Sequence, residues 1–228
     1  MGAALWALSD ATGLRPEYVL PVLYSESGFN PAIVNSIGCV GINQACPNAI
    51  AVPAGYASFT ASQQMTSVVS PMFQSIVAKY GPIRSGIRAY LSNFLPAALP
   101  TCFALSSVLA SKTGSPTCWS VSAAYSEAIY NANSFDYQKT GVIRVSDLAH
   151  FVAKAASSPA VKSAIAQTYA LRPGEVMRDP VYGDDYPRGW SLPEKLLAAA
   201  ALATVTTAAL VALSDLVQHR PVFHALRA

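Results

Sequence analysis

The feature that most constrains this chain is a long stretch without acidic residues. Glu26 is followed by no Asp or Glu until Glu127. Enzymes that cleave glycosidic bonds usually place two carboxylates around the scissile bond, one as an acid and one as a base or nucleophile. In the N-terminal half, Asp10 and Glu17 are the only other acids that could partner Glu26. The sequence therefore favours chemistry that a single carboxylate can perform.

Two short motifs surround this acid. The first is Glu-Ser-Gly-Phe-Asn-Pro at 26–31, and the second is Gly-Ile-Asn-Gln at 41–44, followed by Ala-Cys-Pro. In this order and spacing the pair resembles the lytic transglycosylases with the lysozyme-like fold. The resemblance is strong over residues 14–47 and looser to about Ala155. Asn43 departs from the Met or Tyr that this family carries at that place.

A later segment resembles the phage virion-associated members of the family. There a helix carrying Gln64 leads into Ala-Tyr-Leu-Ser-Asn-Phe-Leu-Pro at 89–96. The resemblance implies a mainly α, or α+β, lysozyme-like fold. It also implies cleavage of the β-1,4 bond between N-acetylmuramic acid and N-acetylglucosamine in peptidoglycan. In such enzymes the glutamate acts as general acid and then as base, and a 1,6-anhydro ring closes without water. We also expect no cofactor and no metal, since the first histidine is His150, far along the chain, and a zinc site is not indicated.

The resemblance assigns substrate-binding roles to several further residues. Ser27 would orient the substrate or the carboxyl, and the Gln44 amide would contact sugar or backbone. A tyrosine of a later helix would reach back toward the glutamate. Tyr90 is one candidate, because it stands at the expected place in the order of motifs along the chain. Tyr130 with Asn131 is the other, because residues 130–133 are similar to the Tyr-Asn-Ala-Gly motif of the family. We favour Tyr90 because the residues after it continue the phage-type pattern.

Local patterns place Glu26 on a helix. Pro16 suits a first helical turn, and Gly28 is a plausible helix stop. Glu26 would lie in the last turn, partly desolvated, with a raised pKa that keeps it protonated as a general acid. Pro21 inside this helix predicts a bend or a late start. The alternative is an ordinary exposed glutamate at a helix end.

The chain divides into three predicted parts. Residues 1–155 form the lysozyme-like transglycosylase domain, and residues 156–192 form a helix and a connector rich in Pro, Gly and aromatic residues. Residues 193–220 form an apolar C-terminal helix. Its core, 196–213, has eighteen uncharged residues, which is the lower edge of a bilayer span. A transmembrane helix and a helix packed in a protein assembly both fit this segment.

Four cysteines could form disulfides, and one loop with acidic residues has the length of a calcium site. Cys39, Cys46, Cys102 and Cys118 allow three pairings, among them Cys39–Cys46 with Cys102–Cys118. Residues 136–147 have the length of a calcium loop. However, Gln138, Lys139 and Thr140 leave too few oxygen ligands, so this loop is predicted to keep the turn without calcium.

The composition and the resemblance together suggest where the protein acts. A net charge of +3 without a basic stripe argues against nucleic-acid binding. Asp10 interrupts the first apolar run, so no signal peptide is evident. We therefore expect a virion component that acts in the host cell envelope and opens the wall during genome entry. Its expected partners are peptidoglycan glycan strands, a membrane through residues 196–213, and other virion proteins.

Two other functions stay open at this point. The first is a lysozyme-type hydrolase of the same fold, which would need a water positioned by Asp10 or Glu17. The second is a non-catalytic structural virion protein that retains the fold.

Overall fold

The computed structural model describes residues 1–47 and 50–185. The described chain is mainly helical with one two-stranded sheet, which confirms the predicted mainly α or α+β class. The helices are α1 Gly2–Thr12, α2 Pro16–Ser27, α3 Ala61–Gln64, α4 Ser70–Tyr80, α5 Gly86–Phe94, α6 Ala123–Ala132, α7 Val145–Ser157 and α8 Pro159–Tyr169. A π-helical turn, Met65–Val69, joins α3 to α4, and short 3-10 turns lie at Tyr56–Ser58 and Pro96–Ala98. The strands are β1 Val108–Ser111 and β2 Val142–Arg144, paired antiparallel.

Helix α2 lies at the centre of the fold and is surrounded by α1, α5, α7 and α8. Its apolar side chains are fully or almost fully buried, among them Tyr18, Val19, Leu20, Val22 and Leu23. This burial supplies the hydrophobic free energy that fixes the helix, because helices of this length are marginal on their own.

Both ends of α2 follow from the sequence. Pro16 occupies the first turn, where no backbone N–H is required, and Gly28 ends the helix in the left-handed conformation at φ 62°. The Gly28 N–H donates to Tyr24 O at 2.8 Å. The predicted late start is wrong, because the helix begins at Pro16 and continues through Pro21. Only one backbone donor is missing there, and tertiary packing compensates for it.

Two disulfides close the irregular parts of the chain. Cys39 pairs with Cys46, and Cys102 pairs with Cys118, which selects one of the three pairings open from the sequence. The first bridge closes the loop that carries residues 41–44, the second motif. Within that loop, isolated β-bridges join Val40 to Val34 and to Ala45.

The chain after α8 packs back onto the helices. Val181 and Tyr182 are almost fully buried, and the Ile87 N–H at the start of α5 donates to Val181 O at 3.1 Å. The predicted apolar segment 196–213 lies outside the described residues. Within the described ranges, no helix is long and apolar enough to cross a membrane.

Candidate active site

The Glu26 carboxyl lies in the last turn of α2 and faces α5. Asn93 Nδ2 donates a hydrogen bond to Glu26 Oε1 at 3.1 Å, and the Tyr90 hydroxyl also hydrogen-bonds the carboxyl. Tyr90 is buried, with 3% of its surface exposed. Burial and the adjacent Glu26 charge raise the pKa of Tyr90, so its hydroxyl keeps its proton and acts as the donor. The carboxyl is thus held by two neutral donors from one helix.

The protonation of Glu26 is set by its surroundings. Burial raises its pKa to about 7 from an ordinary 4.5, and the hydrogen bonds from Tyr90 and Asn93 partly oppose this rise. No other charged group of the described chain contributes to the shift. Desolvation disfavours the ionised carboxylate, whereas donors favour it. A carboxyl with this pKa can give up and take back a proton near neutral pH.

The first of the two acids that could have partnered Glu26 is fully buried and engaged elsewhere. Glu17 accepts hydrogen bonds from Arg15 Nε at 2.8 Å, from the Tyr169 hydroxyl at 2.6 Å and from the Arg178 backbone N–H at 2.9 Å. This network ties α2 to α8 and to the segment that follows α8. Glu17 therefore has a structural role.

The second of these acids lies at the surface. Asp10, in α1, forms an ion pair with Arg172, whose guanidinium also lies over the Trp6 ring at 4.7 Å. Neither Asp10 nor Glu17 contributes to the pKa of Glu26. Within the described chain, no second carboxylate contributes to the pKa shift of Glu26.

Ser27 connects the two motifs. Its hydroxyl lies 3.0 Å from both Leu23 O and Ile42 O, and it is buried. The sequence predicted that Ser27 would orient the substrate or the carboxyl. In the structure the hydroxyl donates to backbone carbonyls, and one of these, Ile42 O, belongs to the second motif.

The second motif is held by a glutamine that sequence reasoning did not select as a site residue. Gln64 Oε1 accepts from the Ile42 N–H, and Gln64 Nε2 donates to Pro31 O and Tyr56 O, each at 2.8 Å. Gly41, at φ 83°, leaves room for this amide, since a Cβ there would lie 2.5 Å from Gln64 Oε1. Gln64 thus fixes the ends of both motifs. The sequence signal that could have identified Gln64 is its place on the helix that leads into the phage-type segment at 89–96.

The polar residues of the second motif also contact the protein itself. Gln44 adopts a left-handed backbone, φ 49°, and its Nε2 donates to Gly41 O at 3.1 Å. The resemblance allowed the Gln44 amide to contact either sugar or backbone, and the structure shows a backbone contact. Asn43 is buried and accepts from the Tyr56 hydroxyl at 3.2 Å, while its amide lies 3.8 Å from Met72 Sδ. The departure at Asn43 is therefore accommodated by polar partners.

The structure separates the two tyrosine candidates. Tyr90 contacts Glu26, whereas the Tyr130 hydroxyl donates to Asp136 Oδ2 at 2.9 Å. Asn131, beside Tyr130 on α6, is exposed. Tyr130 therefore supports a loop, as described below, and the structure does not bring Tyr130 or Asn131 into contact with the carboxyl.

The calcium-like loop is held by protein donors. The Asp136 carboxylate accepts from the backbone N–H groups of Thr140, at 2.9 Å, and Gly141, at 2.7 Å. Asp147 accepts from the Arg144 N–H at 2.7 Å. Among the described residues, no group of His, Cys, Asp or Glu is arranged to hold a metal.

A surface cavity of about 430 Å³ lies away from Glu26. Its walls include Ile87, Arg88 and Leu91 of α5, whereas Tyr90 and Asn93 leave the same helix on a different face. The candidate site is therefore identified by its carboxyl chemistry and not by the volume of this cavity.

Comparison of the chain with family models, with curated proteins and with solved structures finds no match.

Proposed function

We propose that this protein cleaves the β-1,4 bond between N-acetylmuramic acid and N-acetylglucosamine in peptidoglycan by a non-hydrolytic transglycosylase reaction. The observation that carries the proposal is the state of Glu26. It is a single carboxyl whose pKa is raised to about 7 by burial, held by Tyr90 and Asn93, with no second carboxylate acting on it.

The reaction needs one group that is first an acid and then a base. Protonated Glu26 gives its proton to the glycosidic oxygen as the bond from C1 of the muramic acid to that oxygen breaks. The C6 hydroxyl of the same sugar then attacks C1, and its proton passes to the Glu26 carboxylate. The products are a chain end with a free hydroxyl and a 1,6-anhydro end. The acid is regenerated, and no water is consumed.

The surroundings of Glu26 suit both halves of this cycle. General acid–base catalysis is most effective when the pKa lies near the working pH. Burial makes Glu26 a proton donor at pH 7, and the donors Tyr90 and Asn93 stabilise the carboxylate that remains after the first step. Because these donors are fixed on α5, they need no rearrangement as charge develops.

The same geometry gives less support to a lysozyme-type hydrolase of this fold. An inverting hydrolase needs a carboxylate to activate water, and a retaining one needs a carboxylate nucleophile. Asp10 and Glu17 are both paired with arginines.

The lysozyme-like fold and membership of the transglycosylases remain part of the proposal, and they are supported by the two motifs and the phage-type segment.

Mass spectrometry of muropeptides released from purified peptidoglycan tests the proposal. We expect the wild-type protein to release products one water lighter than hydrolysis gives, and Glu26→Gln to release none. Glu127→Gln, which removes an exposed glutamate of α6, is the matched control and should behave as wild type. Hydrated products that depend on Glu26 would identify a hydrolase. No products from folded wild-type protein would favour the structural virion protein.

The proposed setting is a virion component that opens the host wall during genome entry. Its support is the phage-type segment at 89–96, which in this structure supplies the two donors to Glu26. Detection of the protein in purified virions, and loss of infectivity in phage carrying Glu26→Gln with normal particle assembly, would test this setting. The membrane segment 196–213 lies outside the described residues, and its role stays a prediction.

A further inference from the structure

A row of aromatic rings extends from the candidate active site to the surface. Phe135 lies 4.9 Å from Phe94 and 4.9 Å from Phe151 between ring centroids. Phe151 lies 6.1 Å from His150, which stacks on Tyr137 at 3.7 Å. All five side chains are partly or largely exposed. We call these five residues the aromatic strip.

The strip begins at the groups that hold Glu26. Phe135 packs edge-on against Tyr90 with a centroid distance of 5.7 Å, and Phe94 follows Asn93 directly on α5. One donor to the carboxyl is therefore in contact with a ring of the strip, and the other is next to such a ring in the sequence. Exposed apolar surface in a row that is continuous with a site usually indicates a binding groove.

Tyr137 forms the outer end of the strip and is the most exposed ring in it. It is 61% exposed, and its ring lies nearly parallel to that of His150, with an interplanar angle of 24°. One face is thus covered by the imidazole, while the other is open to solvent. An exposed tyrosine held in this way presents a flat, oriented apolar surface.

The loop around Tyr137 is organised by internal hydrogen bonds. Asp136 accepts hydrogen bonds from the N–H groups of Thr140 and Gly141 and from the Tyr130 hydroxyl. Lys139 and Gly141 adopt left-handed backbone conformations at φ 54° and φ 80°. The calcium-like loop thus fixes Tyr137 beside His150 by internal hydrogen bonds, and Tyr130 contributes as a positioning residue.

We propose that the aromatic strip is an extended glycan-binding subsite, with Tyr137 as its outer stacking platform. This inference rests on the proposed function, since its ligand is the β-1,4-linked N-acetylated glycan strand whose bond reaches Glu26. A pyranose ring carries C–H groups on its faces and hydroxyls around its rim. Its faces pack on aromatic rings, while its rim stays in water or bonds to polar groups.

The shape and surroundings of the strip favour a glycan over a protein partner. The ring contacts are continuous from Phe135, which packs on Tyr90, to the exposed Tyr137, so the strip offers several successive ring faces to a linear polymer. The residues flanking Tyr137 on its C-terminal side are Gln138, Lys139 and Thr140, all exposed. A hydrophobic core of a protein interface is depleted of such polar and charged residues, whereas a sugar rim can hydrogen-bond to them.

Binding of purified glycan strands, freed of stem peptides, tests the subsite. Titrations use the full chain carrying Glu26→Gln, so that the strands are not cleaved. Adding Tyr137→Ala should raise the Kd about tenfold, the size of one aromatic contact, and Tyr137→Phe should leave it unchanged. Tyr125→Ala removes a similarly exposed tyrosine, 56% exposed, outside the strip, and it is the matched control.

Kinetics of the otherwise wild-type protein give a second readout. Tyr137→Ala should raise KM and leave kcat unchanged, because a distant stacking contact binds ground state and transition state equally. An unchanged Kd and KM in Tyr137→Ala, or an equal loss in Tyr125→Ala, would overturn the subsite. Loss of binding in Tyr137→Phe would overturn the stacking role.

The two proposals fail in different ways. Cleavage that depends on Glu26 but not on Tyr137 would leave the transglycosylase proposal standing and overturn the strip. Glycan binding that depends on Tyr137, in a wild-type protein that cleaves nothing, would support the strip and overturn the catalytic proposal.

Discussion

Replacing Glu26 with glutamine should make the protein more stable at alkaline pH. The native state holds this carboxyl protonated up to about pH 7, whereas the unfolded chain releases the proton near its ordinary pKa of 4.5. Between these values the native state binds more protons than the unfolded state. The free energy of unfolding therefore falls as pH rises through this window. Glutamine cannot ionise, so the variant lacks this loss.

The size of the effect follows from the two pKa values. The difference between 4.5 and about 7, at 1.36 kcal/mol for each pH unit, gives about 3.4 kcal/mol. The glutamine amide keeps an acceptor for the donors Tyr90 and Asn93, but its own NH₂ group needs a partner, which costs about 1 kcal/mol. We expect Glu26→Gln to exceed wild type by about 2–3 kcal/mol above pH 7. For a chain of this size that is a rise in Tm of about 4–12 °C.

Urea unfolding with both disulfides intact, repeated from pH 4 to pH 8.5, measures this difference. The quantity to plot is the free energy of unfolding of Glu26→Gln minus that of wild type. It should rise across the window from pH 4.5 to 7 and then level off. Glu127→Gln, which also removes one glutamate, controls for the change in net charge.

A pH-independent difference would refute the reasoning, because it would mean that Glu26 ionises alike in both states. A difference that changes in the opposite direction would mean that its pKa is lowered on folding. Either result would also remove the main support for Glu26 as a general acid.

Further predictions concern Glu26 and the loop that carries the second motif, residues 41–44. The kcat of wild type should fall about tenfold for each pH unit above 7, as protonated Glu26 is lost. Tyr90→Phe should move this fall to higher pH, because the Tyr90 hydrogen bond lowers the Glu26 pKa; a pH–rate profile that does not move would contradict this. Gly41→Ala should lower the free energy of unfolding by about 2–4 kcal/mol, because its Cβ would clash with Gln64 in a left-handed backbone. Gly38→Ala, also at φ 83° but with open space around it, should cost only about 1–2 kcal/mol; equal losses in urea unfolding would argue against the contact with Gln64. Gln64→Leu should cost about 3 kcal/mol by leaving buried backbone groups unpaired and should lower activity without touching Glu26; full activity would show that the motif geometry does not depend on this amide.

The position of Glu26 could be predicted from the sequence because its causes are local. A proline in the first helical turn and a glycine after the last one define α2 within a dozen residues. The glutamate then falls in the last turn by position alone. The raised pKa was also predictable in direction, since the end of an otherwise apolar helix brings partial desolvation.

Apart from Tyr90, which the resemblance to the family suggested, the contacts that hold the site could not be predicted, because their partners are distant in the sequence. Gln64 bonds to Pro31, 33 residues away, and Asn93 bonds to Glu26, 67 residues away. No periodicity in a single sequence encodes such pairs. Ser27 was predicted to orient the substrate or the carboxyl because it follows Glu26 in the motif. Its hydrogen bond to Ile42 O could not be predicted, since it depends on how the loop of the second motif folds back.

The acid-free stretch takes on a physical meaning once burial is known to set the pKa of Glu26. A carboxyl can be kept protonated by a nearby like charge or by desolvation. The first route needs a second acid, whose own titration would couple to that of Glu26. This chain uses the second route, and only two neutral donors, Tyr90 and Asn93, oppose it. The acid strength of Glu26 should therefore depend on how well the fold around it packs. We expect Gln64 and Gly41, which hold the second motif, to affect the proposed reaction through the fold and not through the carboxyl itself.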